Sequence, residues 1–132
     1  MNKNIFLFFP AIIVFAIIGC SREIERVGIE GVVTLEGKPA ADVNIIITPK
    51  AGPGAIVTSG EDGAFKILKM AGPMPGECEI RVEKFDYKTT KGSDGREDII
   101  SKPALPEKIQ GKSKPFTLKK GDNKIDLDLD KW

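Results

Sequence analysis

Histidine is missing from all 132 residues. With it go imidazole general bases, His-dependent nucleophilic triads and His-ligated zinc. Cysteine is nearly as scarce: Cys20 and Cys78 are the only two, and they form no CxxC pair. No Gly-rich loop of the phosphate-cradling kind occurs. Aromatic residues are thin, with one Trp and one Tyr, and neither sign of charge dominates, since 20 Lys and Arg face 19 Asp and Glu. That balance leaves no electrostatic footprint for nucleic acid.

What the chain does have is an unbroken apolar run of fourteen residues, Ile5 to Ile18, behind a short polar start that carries Lys3. A membrane-spanning helix takes about 20 such residues, and Pro10 inside the run argues further against one. Length and flanks fit the apolar core of a secretory signal. The run closes on Ile17-Ile18-Gly19-Cys20, which resembles a bacterial lipobox. The resemblance implies that the chain is cut before Cys20, which carries lipid and becomes the first mature residue. Two or three acyl chains, at about 0.8 kcal/mol per buried methylene, would hold it stably on a membrane. Ser21 stands where the inner-membrane retention signal of enterobacterial lipoproteins has Asp, so the expected place is the outer membrane, facing the periplasm.

The expected division is therefore a signal peptide at 1–19, a lipidated tether at 20–28 and one domain at 29–130. Removing the signal leaves 113 residues with 19 basic and 19 acidic side chains, enough for one domain that buries roughly two thirds of its unfolded surface. Ser21 to Gly28 is short, charged and without apolar period. Fully extended it reaches about 28 Å, so the domain rides close to the bilayer.

Short strands follow, separated by turn signals. Ile29 to Leu35 alternates and meets Glu36-Gly37; Val43 to Thr48 is β-branched on both faces and ends at Pro49. Ala55 to Ser59 leads into Gly60-Glu61-Asp62-Gly63, and Phe65 and Ile67 face inward on the next strand. Glu77 to Glu83 sets Cys78, Ile80 and Val82 against Glu77, Glu79, Arg81 and Glu83, which places the spare thiol on the buried face as a small hydrophobe. Lys84 to Pro115 breaks this rhythm and reads as a long loop. Phe116 to Lys119, a Gly121-Asp122-Asn123 turn and a last strand with Ile125, Leu127 and Leu129 inward complete the chain. Seven strands and almost no helical period predict an all-β fold, a seven-stranded antiparallel Greek-key β-sandwich.

Several stretches together carry a second resemblance: Gly31 to Pro39, Val43-Ile45-Pro49, Glu61-Asp62-Gly63-Ala64-Phe65 and Pro75-Gly76-Glu77. They are similar to the carboxypeptidase regulatory-like domain, a transthyretin-like sandwich. The Leu105-Pro106-Glu107-Lys108 segment and the Gly121 to Leu127 strand resemble the form found in small planctomycete lipoproteins. The chain departs from that pattern at Ser59-Gly60, where the family has Thr-Asp, and at Cys78 and Ile109, where it has aromatics. The fold includes a hydroxyisourate hydrolase that depends on histidines, of which this chain has none. The metallocarboxypeptidases that carry the domain keep their zinc in a separate domain. The resemblance thus bears on the fold far more than on activity, and with no catalytic group at hand no enzyme is expected.

Other groups weigh less. Asp126, Asp128 and Asp130 would stand about 7 Å apart on one strand face, too few oxygens for calcium, and read as a solvated edge. Asp94, Glu97 and Asp98 read as loop charges, and Ser93 and Ser101 have no base at fixed spacing. No cofactor or metal is expected. The expected function is a noncatalytic, lipid-anchored envelope module. It offers the 84–115 loop, with Phe85, Tyr87, Ile99 and Ile100 as its apolar positions, to an envelope protein or cell-wall component. The alternative is a small-ligand or carbohydrate-binding module, with Tyr87 and Trp132 as the available aromatic pair.

Overall fold

Alternation of β-branched with polar residues dictates strands, and strands are what form. The computed structural model describes residues 23–132 and contains eleven strands and two short 3-10 turns. The lipobox Ile17-Ile18-Gly19-Cys20 and the signal at 1–19 lie outside the described residues. One layer is built around β1 (Gly28–Leu35), flanked by β2 (Lys38–Pro39) and β5 (Ala64–Ile67). β10 (Asp122–Lys124) and β11 (Leu127–Asp128) run beside it. The other layer is ordered β4 (Ala55–Thr58), β3 (Asn44–Pro49), β6 (Gly76–Glu83), β9 (Ser113–Leu118). β7 (Phe85–Lys91) and β8 (Glu97–Pro103) form a separate two-stranded sheet.

The two layers bury their inward rows in one core. Ile29, Val33, Phe65, Ile67 and Leu127 come from the first and Ile45, Ile47, Ile80, Val82 and Leu118 from the second. Cys78 belongs to this core. The all-β sandwich expected from the sequence is thus what the chain adopts. Two pairings depart from a purely antiparallel plan, because β1 runs parallel to both β10 and β11.

The last strand is also not continuous. β10 and β11 keep one register against β1, but the ladder breaks at Ile125-Asp126. There the Val32 N–H donates to the Asp126 carboxylate at 3.2 Å, so a side chain takes the place of a backbone acceptor. Gly31 lies against the same break, and a Cβ on it would sit 1.8 Å from the Ile125 carbonyl oxygen. Beyond β11 the chain turns into a 3-10 turn, Leu129–Lys131, whose N-terminus is capped by Asp128.

Ser59 is buried; its hydroxyl donates to the Ala40 carbonyl at 2.7 Å and accepts from the Val43 N–H at 3.0 Å. One hydroxyl ties the β4–β5 connection to the start of β3. Cys78 and Ile109 both sit in the core.

Register fixes two ends of the sandwich. At one end the chain comes in at Gly28, beside Ile67, Gly121 and Pro73. At the other lie the Leu35–Lys38 turn, the Asn44–Glu83 pair from which β7 departs, and the 3-10 turn before Trp132.

Candidate functional site

The 84–115 stretch, expected as a loop, is in its first part a regular hairpin. Seven pairs join β7 to β8, from Phe85 with Pro103 to Lys91 with Glu97. The turn between them is held by Gly92 N–H to the Arg96 carbonyl (2.8 Å) and Arg96 N–H to the Asp94 carboxylate (3.1 Å). Asp94, one of the loop carboxylates, is therefore a turn-former that also pairs with Arg96. Hydrophobic periodicity missed the hairpin because it has no buried face. Every residue of both strands is exposed except Phe85, which is half-buried. The usable signal was polar: alternating Thr, Lys and Tyr, then Gly92-Ser93-Asp94-Gly95, then Ile99-Ile100.

Directly paired residues share a face. Phe85, Tyr87 and Ile99 consequently lie on one side of the hairpin with Thr89, Ser101 and Pro103, whereas Ile100 lies on the other among Asp86, Lys88, Asp98 and Lys102. Tyr87 is 68% exposed and Ile99 73%. The four expected positions thus split three to one, and the apolar side of the hairpin is the side that holds Tyr87.

The base of the hairpin is rigid. Ala104 N–H donates to the Lys84 carbonyl at 2.8 Å, Lys84 N–H to the Gln110 side chain at 3.1 Å, and Gly111 N–H to the Val82 carbonyl at 3.0 Å. Leu105 and Ile109 enter the sandwich core. This corrects the 84–115 boundary: the projecting part is 85–103, and 104–112 closes one end of the core because its apolar side chains have somewhere to be buried.

The tether is corrected likewise. Val27 is fully buried and hydrogen-bonded to the Pro73 carbonyl, and Gly28 already belongs to β1. Residues 25–28 are part of the domain, because Val27 finds a core site that its charged neighbours hide from sequence reading.

Trp132 and Tyr87 do not form a shared platform. Trp132 packs against the core, its Nε1 donates to the Lys112 carbonyl at 3.1 Å, and the Lys114 ammonium sits 5.2 Å from its ring centre. With Phe116, Leu127 and Asp126 it lines a groove of about 340 Å³ at the open edge between the layers, and Tyr87 is not among the lining residues. The carboxylates of the last strand are occupied: Asp126 by Val32, and Asp128 by the Asp130 N–H and Lys131. Lys131 holds the Asp128 carboxyl below its ordinary 3.8. Burial pushes the Cys78 thiol up, away from the thiolate a nucleophile needs.

No family model and no curated protein matches the chain. Among solved structures it is similar to a crystal structure of a 9R-lipoxygenase from Cyanothece PCC8801, at 17% identity and a TM-score of 0.38. The likeness covers 81% of this chain and 17% of that one, so this chain spans less than a fifth of that protein's length.

Proposed function

We propose that the protein is a noncatalytic envelope module, anchored by lipid at Cys20 to the outer membrane on its periplasmic side, that uses the β7–β8 hairpin to hold an envelope protein or cell-wall component. The observation that carries this reading is the hairpin itself. A seven-pair ladder exposed on both faces, with Phe85, Tyr87 and Ile99 along one of them, is clamped to the end of the sandwich away from where the chain comes in. An isolated two-stranded sheet is marginal in water, and an apolar stripe on it gains burial when a partner covers it. The lipobox resemblance supports the anchor, and the carboxypeptidase regulatory-like resemblance of the planctomycete type supports a binding role.

The test is a deletion of Asp86–Lys102 bridged by Asn-Gly, which leaves Leu105 and Ile109 in place. Crosslinking in the living envelope, with mass spectrometry, should lose its dominant neighbour while the variant keeps its strand content and unfolding midpoint. Retention of that neighbour would count against the reading.

A second reading, ligand or carbohydrate binding, draws on the Trp132–Phe116 groove. A glycan array with no hit that Trp132→Ala weakens disposes of it.

A further inference from the structure

Three exposed apolar side chains surround the place where the chain joins the sandwich: Ile24 at 55% exposure, Leu68 at 58% and Met70 at 81%. Residues 23–26 and Lys69-Met70 line a groove of about 660 Å³ there. The segment is firmly attached. Arg26 Nη1 donates to the Gly72 carbonyl at 3.1 Å, and Val27 N–H to the Pro73 carbonyl at 3.0 Å. Gly28 N–H donates to the Gly121 carbonyl at 3.1 Å, and Lys120 pairs with Glu25 at 3.0 Å. Gly72 makes the close approach feasible, since a Cβ on it would fall 1.8 Å from the Val27 carbonyl oxygen. These bonds hold the backbone next to Ile24 against the loop that carries Leu68 and Met70. On the same end Lys69 and Lys119 have no acidic partner within 4.0 Å among the described residues.

We propose that this end of the sandwich is a bilayer-docking face, on which Ile24, Leu68 and Met70 enter the boundary between headgroups and acyl chains while Lys69 and Lys119 meet lipid phosphates. The inference rests on the anchored reading of Cys20 and deepens it. Three residue steps separate Cys20 from Glu23, so the described chain begins within about 11 Å of the acylated residue. An interfacial apolar face sinks roughly 5–10 Å into that boundary, and the groove lies within the same reach. Single exposed apolar residues are ordinary; three on a rigid base around the attachment point, beside unpaired lysines, match an interfacial face. The consequence is orientation: the hairpin, at the opposite end, is held out from the membrane.

Trp132 lies at that opposite end and serves as a control. Full-length protein is purified from its host's envelope, its intact mass is recorded, and it is reconstituted in vesicles of phosphatidylcholine and phosphatidylglycerol containing lipid brominated near the headgroup end of the acyl chain. The probe is Met70→Trp in a Trp132→Phe background. Its emission should shift to the blue and be quenched by the bromolipid, while Trp132 in the otherwise unchanged protein is not quenched. Adding Ile24→Asp and Leu68→Asp should abolish the quenching with the acyl mass and the strand signature in circular dichroism intact. An acylated protein whose Met70→Trp stays in water, unquenched, overturns the docking face and leaves the anchor standing, as does quenching that survives both Asp substitutions. An intact mass showing no acyl group on Cys20 overturns the anchor, and the docking face with it.

Discussion

Two antiparallel ladders of nearly equal length, β3–β6 with six pairs and β7–β8 with seven, fare in opposite ways in one molecule. The first sets Ile45 and Ile47 beside Val82 and Ile80, all four buried; the second buries nothing outright. Both are held by continuous backbone ladders, so the ladder alone does not decide where stability resides. Burial does, since a backbone hydrogen bond exchanged with water nets only about 1 kcal/mol. The body of the protein is a core that happens to be made of strands, and the hairpin is a surface that happens to be hydrogen-bonded.

The sharpest way to break that comparison is to cut side chains on each ladder. Ile80→Ala should cost about 2–5 kcal/mol in urea unfolding, as expected for a fully packed isoleucine. Ile109→Ala should fall in the same class, about 2–4 kcal/mol, because the structure draws the boundary between arm and body just before it. An effect near zero there would move that boundary. Native-state hydrogen exchange should then show Thr89, Ile99 and their neighbours opening far below the global unfolding energy, with Ile45 and Ile80 opening only globally. Tyr87→Ala and Ile99→Ala should stay within about 0.5 kcal/mol of the parent in unfolding. A loss of several times that would mean the hairpin packs on the body.

The smallest effect concerns acid. Because Lys131 lowers the Asp128 pKa on folding, this carboxylate contributes stability above its ordinary 3.8 and loses it as pH falls through the lower folded value. Trp132 emission should therefore hold steady from neutral down to that point and redden below it, while Tyr87 on the hairpin is unaffected throughout.

The same contrast explains what could be read from the residues. Strands with one apolar row were legible almost to the residue: Ile29 to Leu35 against Gly28–Leu35, Glu77 to Glu83 against Gly76–Glu83, and Cys78 on the inner side. The hairpin was not, because hydrophobic alternation reports a buried face and this element has none. The break at Ile125-Asp126 depends on a carboxylate reaching Val32 across 94 positions, and the burial of Val27 depends on the Pro73 carbonyl. Neither partner is visible in a local window. Of the candidate site, the residue types Phe85, Tyr87, Ile99 and Ile100 were legible, but which of them share a side required the register.

What distinguishes the two ladders in function is that the arm, and not the β3 face of the body, contacts the envelope partner. The direct measurement places a photo-reactive residue at Tyr87 on the hairpin and, in a second protein, at Thr48, which is exposed on β3, and compares crosslinked products formed in the living envelope. The Tyr87 position should give one dominant product that the Thr48 position does not. Equal labelling from both positions, or a dominant product from Thr48 alone, would contradict it.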